Sequence, residues 1–500
     1  MHSELVQTCL NLLRQAQQLP VDDVQRRLLE QAASDFVRDG RHRRRAQARA
    51  DRAAADARLL AATVTGDRDR IMDAPLPTDT LLQQDMTMRG RTKLPSGLGA
   101  SIRQANSTSD NGESPGLLNR PQRCYVCKNH YRQVHHFYHL LCPPCGDENL
   151  GRRTARTDLI GRHALLTGGR VKIGYQTALM LLRDGADLTI TTRFPRDAVR
   201  RFAAAPGASD WWHRLRIVAL DLRDPRQVLA FTDRLLSQAV PLDILINNAA
   251  QTLRRSPHAY TALAAAETVQ TSLPAARIWT APGFATPGAD TTRPPWAAEL
   301  TARPVETHAL DATTLKATEP MVDLPQPEEV DEAGLLTETA AINSWTLRLG
   351  QVDPAELLEA QLVNAVAPFL LADRLLPLLD ASPHSHRYLV NISAVEGQFT
   401  VRNKTSAHPH TNMAKAALNM LTRTSAADLA ARGIHTCSVD TGWVTDEKPL
   451  SARKRHAATG WRPPLDVVDG AARIYHPIVQ GQAGEPIHGA LLKDYRCVPW

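Results

Sequence analysis

An α/β fold built on a doubly wound, mainly parallel sheet is what this 500-residue chain predicts. The first observation is the stretch GRHALLTGGRVKIGYQTALMLLRDG from Gly161. A short apolar strand runs into Thr167-Gly168-Gly169, and a helical pattern then opens at Ile173-Gly174 and closes at Gly185. The second is a series of further short apolar runs at Ala186–Thr192, Arg216–Leu222, from Leu242, Arg387–Ile392 and Ile434–Val439, with helices expected over 354–379 and 416–429. The third is composition: 43% hydrophobic residues suffice for a sizeable core, while 33 prolines and only 5% aromatics point to poorly ordered attachments. The expected organisation is a helical region over 1–86, a flexible linker over 87–120, a small cysteine module over 121–150, and the sheet domain over 155–500. A large insertion interrupts that domain at about 252–340.

In the helical region Leu5, Cys9, Leu12 and Leu13 form one apolar face up to Pro20. After the N-cap candidates Asp22 and Asp23, Val24, Leu28, Ala32 and Phe36 continue at a four-residue spacing, and Leu59, Leu60 and Val64 end a second or third helix. The net charge of +7 includes a basic cluster from Arg38 to Arg52. Both a solvated arginine-rich face and a contact to a protein or nucleic-acid partner fit that cluster; in the latter case, neutralising Arg43, Arg44 and Arg45 abolishes salt-sensitive binding. Residues from about Thr87 to Arg120 are rich in Ser, Gly, Asn and Pro, without period.

Cys124-Tyr-Val-Cys127 and Cys142-Pro-Pro-Cys145 are separated by fourteen residues. Two thiolate pairs on tight turns can close a tetrahedral shell around a structural Zn2+, in the manner of a zinc ribbon, with no position left open for substrate. His130, His135, His136 and His139 lie between them as substitute ligands. Cysteine pairs of this kind, no signal peptide and no continuous apolar run of membrane-spanning length lead to the expectation of a cytoplasmic protein without a membrane partner.

A strand, a glycine turn and a helix N-terminus make a phosphate-binding unit, because glycines let the backbone approach a pyrophosphate and the helix end offers free N–H groups. Twenty or so residues on, Thr192 and Arg193 stand where an acidic residue would hold the ribose hydroxyls of NAD(H). This favours NADP(H), with NAD(H) as the alternative, and Arg170 and Lys172 add positive charge to the same turn. With Thr167-Gly168 before Ile173-Gly174, then Asp221-Leu222, Asn247-Asn248-Ala249-Ala250, Asn364, Lys415 and Thr441-Gly442-Trp443-Val444-Thr445, the chain resembles the short-chain dehydrogenase/reductase family from about Gly161 to Trp500.

That resemblance implies a Rossmann-type fold and a cofactor site at Thr167, Gly168, Gly169, Arg170, Lys172, Ile173, Gly174, Arg193, Asp221, Leu222, Asn248, Ala249, Ala250, Lys415, Gly442, Val444 and Thr445. Asp221 matches the family residue at the adenine, and Val444 and Thr445 the groups at the nicotinamide amide and pyrophosphate. Asn364 matches the helix asparagine of the proton relay, and Lys415 the lysine of YxxxK. Four positions depart: Lys172 stands where glycine is usual, Ala394 where the catalytic serine falls, Thr411 where the tyrosine falls, and Thr441 where the loop after the sixth strand usually has proline. An aliphatic hydroxyl is far less acidic than a phenol. Candidate replacements are Ser393, Glu396, His408 and His410, and the catalytic set is Lys415, Asn364, Thr411, His410 and Ser393.

Two functions follow. One is NADP-dependent hydride transfer to or from a carbonyl or alcohol substrate, by a homo-oligomer of the kind this family forms, with an atypical proton relay. The other is a non-catalytic dinucleotide-binding sensor or scaffold whose zinc module and basic arm bind a partner. The insertion, rich in Ala, Thr and Pro, is read as mainly disordered with a short ordered end, entering beside the nicotinamide position where it would act as a lid.

Overall fold

The computed structural model describes residues 3–71, 73–76, 113–269, 277–287 and 330–500. Among the described residues nine strands form the main sheet, in the order β11-β10-β9-β8-β6-β3-β4-β5-β7. They are β3 (His163–Thr167), β4 (Asp187–Thr192), β5 (Leu215–Ala219), β6 (Ile244–Asn247), β7 (Arg277–Thr280), β8 (Arg387–Ser393), β9 (Ile434–Asp440), β10 (Leu491–Lys493) and β11 (Arg496–Val498). Every neighbouring pair is parallel except the closing hairpin of β10 and β11. The strands read as continuous apolar runs because both faces are covered. Leu166 enters one core with Ile190, Ile246, Val390 and Ile474, whereas the adjacent Leu165 enters the other with Phe231, Leu245, Leu371 and Leu389. Chain order reverses between β3 and β6, which opens a crevice at their C-terminal ends.

The segment read as featureless carries structure at its described ends, so that expectation is corrected in part. Beyond helices α4 (Lys172–Arg183), α5 (Pro195–Ala203) and α6 (Pro225–Gln238), which lie between the strands, a further helix α7 spans Thr261–Thr268, and β7 extends the sheet beyond β5, with Ile217 opposite Ile278. Helix α7 is nearly all alanine and threonine, with no apolar stripe, and β7 has four residues, so neither has a period to detect. The insertion's residues 270–276 and 288–329 lie outside the described residues.

Among the described residues two helices precede the cysteine module, α1 (Ser3–Ala16) and α2 (Val24–Ala61). The Asp23 carboxylate caps α2 through the Gln25 and Arg26 N–H groups at 2.8 and 3.0 Å. Of the two alternatives, Leu59 and Leu60 end the second helix rather than a third, because nothing from Val24 to Ala61 breaks it except Gly40, and one glycine costs only about 1 kcal/mol.

The cysteine module consists of the antiparallel pair β1 (Leu117–Arg123) and β2 (His130–Gln133) with α3 (Pro143–Arg153). Strand β1 begins inside the stretch read as linker, whose residues 87–112 lie outside the described residues. Tyr131, Val134, Phe137, Tyr138 and Leu141 share one core with Val444 and Leu465 of the sheet domain, joined by Leu59 and Leu60. Under it Arg153, wholly buried, pairs with Asp466 and, at 3.1 Å, with Asp469, which also accepts the Tyr138 hydroxyl at 2.6 Å.

Among the described residues one helix is long and apolar enough to cross a membrane, Pro354–Asp380. It is α8 (Pro354–Gln361), a π-turn over Leu362–Val366 and α9 (Ala367–Asp380), and Leu371, Leu375 and Leu379 of α9 are buried against the sheet.

Candidate active site and cysteine centre

The crevice is floored by the turn after β3. Gly168 has φ +70°, and a Cβ there would lie 3.0 Å from the Ala249 Cα. A Cβ on Gly174 would lie 2.2 Å from the Gly168 carbonyl oxygen. Glycine is therefore required at both places to bring turn, strand and helix together. Thr167 Oγ1 accepts from the Asn248 and Ala249 N–H groups, both at 3.0 Å, and the Asn248 amide donates to the Thr167 and Gly168 carbonyls. Ile173 lies half-buried at the start of α4 (Lys172–Arg183), and Gly169 packs on Ile190. A bare, rigid cradle of this shape fits a dinucleotide pyrophosphate.

The three basic side chains expected here separate. Arg170 turns away to Asp197, at 2.5 Å, and to the Ala333 carbonyl at 2.9 Å, so its charge is spent inside the fold. Lys172 keeps the positive φ that glycine would adopt, +53°, and sends its ammonium to Asp73 at 3.0 Å. Although burial opposes it, Glu447 and Asp73 hold that ammonium above its usual pKa. Arg193 alone pairs with no carboxylate among the described residues. It lies over the Tyr260 ring, 5.1 Å from its centre, and donates to the hydroxyl at 3.2 Å. Asp221 holds Arg223 at 2.7 Å, and Leu222 is buried beside it; burial opposes the Asp221 charge, but Arg223 keeps its carboxyl below the usual range. Ala250 is exposed at the crevice.

At the reacting end Asn364 sits in the π-turn. Its Oδ1 accepts from the Gln251 N–H at 2.7 Å and its Nδ2 donates to the Gln251 carbonyl at 3.0 Å, locking the helix to the strand end. Lys415 lies in the second turn of α10 (Pro409–Ala431), because the helix begins at Pro409 and not at the expected 416. Its Nζ donates to the Ile392 carbonyl at 2.7 Å, beside Ser393. Burial lowers the Lys415 pKa to about 8, opposed by Glu396. Ser393 Oγ and Thr411 Oγ1 are buried and have no hydrogen-bond partner among the described residues. Ala394 follows Ser393 with no hydroxyl.

His410 is not brought to this group: its Nε2 faces Glu356 of α8 at 3.3 Å, because adjacent residues on a helix point about 100° apart. His408 stacks on Trp345, ring centres 4.1 Å apart, and His408 Nδ1 lies 2.9 Å from the Trp345 carbonyl. Of the proposed replacements, Glu396 is the one whose charge acts on Lys415, and burial raises its pKa. Beyond β9, Gly442 (φ +80°) donates its N–H to Asp440 at 2.8 Å, Val444 is buried, and Thr445 Oγ1 donates to Glu447 at 2.9 Å.

Sequence reasoning missed Asp73 and Trp345, for which no sequence signal exists, and Tyr125. The Tyr125 hydroxyl accepts from the Trp443 N–H at 2.9 Å, tying the first CxxC turn to the loop after β9.

The Sγ atoms of Cys124, Cys127, Cys142 and Cys145 lie within 4.8 Å of one another. A compact all-sulfur donor set suits a tetrahedral soft or borderline cation. Two of the four intervening histidines are engaged elsewhere: His139 with Thr65 at 2.7 Å, and His135 with Asp147 at 3.1 Å.

Residues 162–281 match the family described as short chain dehydrogenase, and 289–460 that described as Enoyl-(Acyl carrier protein) reductase. An uncharacterized protein of Acanthamoeba polyphaga mimivirus is 32% identical over 372 residues, covering 71% of this chain and 71% of that one. The chain belongs to the short-chain dehydrogenase/reductase family. A probable oxidoreductase of Streptomyces antibioticus is 42% identical over 95 residues, 18% of this chain and 30% of that protein's length. Among solved structures, a short-chain dehydrogenase from Burkholderia cenocepacia in complex with NADP has 20% identity and a TM-score of 0.41, covering 67% of this chain and 97% of its own. As a short-chain dehydrogenase/reductase the protein is classed with oxidoreductases, and it differs from the family pattern at Lys172, Ala394, Thr411 and Thr441.

Proposed function

We propose that this protein is an NADP(H)-dependent oxidoreductase acting on a carbonyl or alcohol. The observation that carries this reading is Lys415, a buried ammonium at the end of β8, beside the Ser393 and Thr411 hydroxyls that have no partner among the described residues. Bound NADPH would supply the hydride. The chain's own residues do the rest: the glycine turn takes the pyrophosphate, Arg193 takes the 2′-phosphate, and Lys415 orients the ribose. Ser393 or Thr411 binds the substrate oxygen. The proton that oxygen needs comes through Lys415, with Glu396 and the Asn364 turn behind it. A lysine pKa near 8 suits proton exchange at neutral pH in a way that threonine cannot.

The same reading places structural zinc on the four cysteines, in a reducing cytoplasm. It also takes the protein to be a homo-oligomer, for which Leu358, Val366 and Phe369, with Met413 and Met420 of α10, are exposed apolar side chains. The scaffold reading is favoured by Ala394 and Thr411 and by the Lys415 contact to a main-chain carbonyl. Calorimetric titration of the protein and of Lys415→Ala with NADPH and NADH separates the readings. Tight NADPH binding weakened by the variant, with turnover on an alcohol and carbonyl panel, supports the enzyme. Absent nucleotide binding refutes both readings; binding without turnover leaves the scaffold.

A further inference from the structure

Helix α2 is 38 residues long and none of its described side chains is buried. Among the described residues its C-terminal end is anchored to the cysteine module: the Asp56 carboxylate accepts from the Asn119 N–H at 2.6 Å and the Arg120 N–H at 3.1 Å, while Leu59 and Leu60 enter that module's core; its first turn is held to the segment after α1, where Arg26 donates to the Leu19 carbonyl at 2.6 Å. The rest stands out as a rigid arm. From Arg38 to Arg58 it carries eight arginines against three aspartates, and apart from Gly40 its non-polar residues there are all alanine. Arg38 and Arg43 are held by Asp35 and Asp39 at 2.7 and 2.8 Å. Arg41, Arg45, Arg49 and Arg52 are exposed and make no ion pair among the described residues. Spaced by four, four and three, these four fall within about 80° of arc and span about 16 Å of helix.

We propose that this stripe of Arg41, Arg45, Arg49 and Arg52 is a docking surface for the phosphate backbone of double-stranded nucleic acid. Four guanidinium groups in a straight row, unneutralised by carboxylates, match a linear array of phosphates, each able to take a bidentate pair of N–H donors. A duplex carries about one charge per 1.7 Å of axis, so this length of helix faces more phosphates than it can neutralise. Between Arg41 and Arg52 the arm has no large apolar side chain to enter a bilayer or to centre a protein interface; the exposed Phe36 and Val37 precede the stripe by about one turn, at its edge. The contact is to backbone, without reading of bases, and is independent of the dinucleotide site.

The test is fluorescence anisotropy of a labelled 30-base-pair duplex with the full-length protein, between 50 and 200 mM KCl. Four contacts predict a slope of about −3.6 in log affinity against log salt, a loss of about 100-fold across that range. The variant R41Q/R45Q/R49Q/R52Q, whose substitutions are good helix formers, should flatten the slope by about that amount, while R43Q/R44Q changes it by no more than about half as much. Circular dichroism checks that α2 persists. Absence of binding at 50 mM salt, affinity unchanged in the fourfold variant, or tighter binding to polyglutamate or to anionic phosphatidylserine vesicles than to the duplex overturns the proposal. NADPH titration of the same variants reports separately on the dinucleotide reading, and is expected to be unchanged.

Discussion

Replacing Lys415 by methionine should stabilise the protein at neutral pH and destabilise it in alkali. Burial lowers the lysine pKa from 10.5 to about 8. At roughly 1.4 kcal/mol per pH unit, that gap is a penalty of about 3 kcal/mol for keeping the ammonium charged in the folded protein. The folded state has the depressed pKa, so between about 8 and 10.5 the unfolded chain binds more protons. The penalty is therefore complete below about pH 8, shrinks as pH rises, and is gone above 10.5. Methionine removes it but also removes the 2.7 Å hydrogen bond to the Ile392 carbonyl, whose loss costs about 1–2 kcal/mol. The variant should be more stable than wild type by about 1–2 kcal/mol at pH 7, equal to it between pH 8 and 10, and less stable beyond. Paired urea denaturation curves at half-unit steps from pH 6.5 to 10.5 measure this directly. A stability difference that does not change with pH would mean that Lys415 is not a buried, easily deprotonated ammonium, and the proton relay built on it would fall with it.

Other perturbations probe separate parts of the argument. Carbonyl reduction should slow as pH rises through about 8 and alcohol oxidation should quicken, since Lys415 donates in one direction and accepts in the other; profiles of kcat/KM in both directions check this. Arg193→Ala should weaken NADPH binding by about 10- to 100-fold and leave NADH within a few-fold, because only the 2′-phosphate loses its charged partner. Arg153→Met leaves Asp466 and Asp469 buried without their cation and should cost about 3–5 kcal/mol in chemical denaturation. Purified protein should carry one zinc per chain by elemental analysis, and Cys145→Ser should both release the metal and lower the melting temperature.

Much of the sheet domain was legible because its strands announce themselves twice: as apolar runs buried on both faces, and as carriers of local signals such as Thr167-Gly168 and Asn247-Asn248 at the strand ends. Both signals are short-range. Ion pairs that decide side-chain direction are not. Arg170 and Lys172 look alike in sequence, yet one meets Asp197 and the other Asp73, a partner a hundred residues earlier. His410 was adjacent to the vacant tyrosine position in sequence but a third of a turn away in space. Strand β7 was missed for the opposite reason: four residues at a sheet edge gain their hydrogen bonds from β5, not from any pattern of their own. The cysteine spacing revealed a metal-type cluster and gave no hint of what it leans on.

That last point sets a limit on how the chain can be divided. The cysteine knuckle supplies the Tyr125 hydroxyl to the loop after β9, the aromatic floor under Val444 and Leu465, and the only guanidinium that touches both Asp466 and Asp469 among the described residues. A fragment trimmed to the family's core would begin with an open apolar wound and two buried acids facing one another. The module is thus a wall of the sheet domain that happens to be written earlier in the chain.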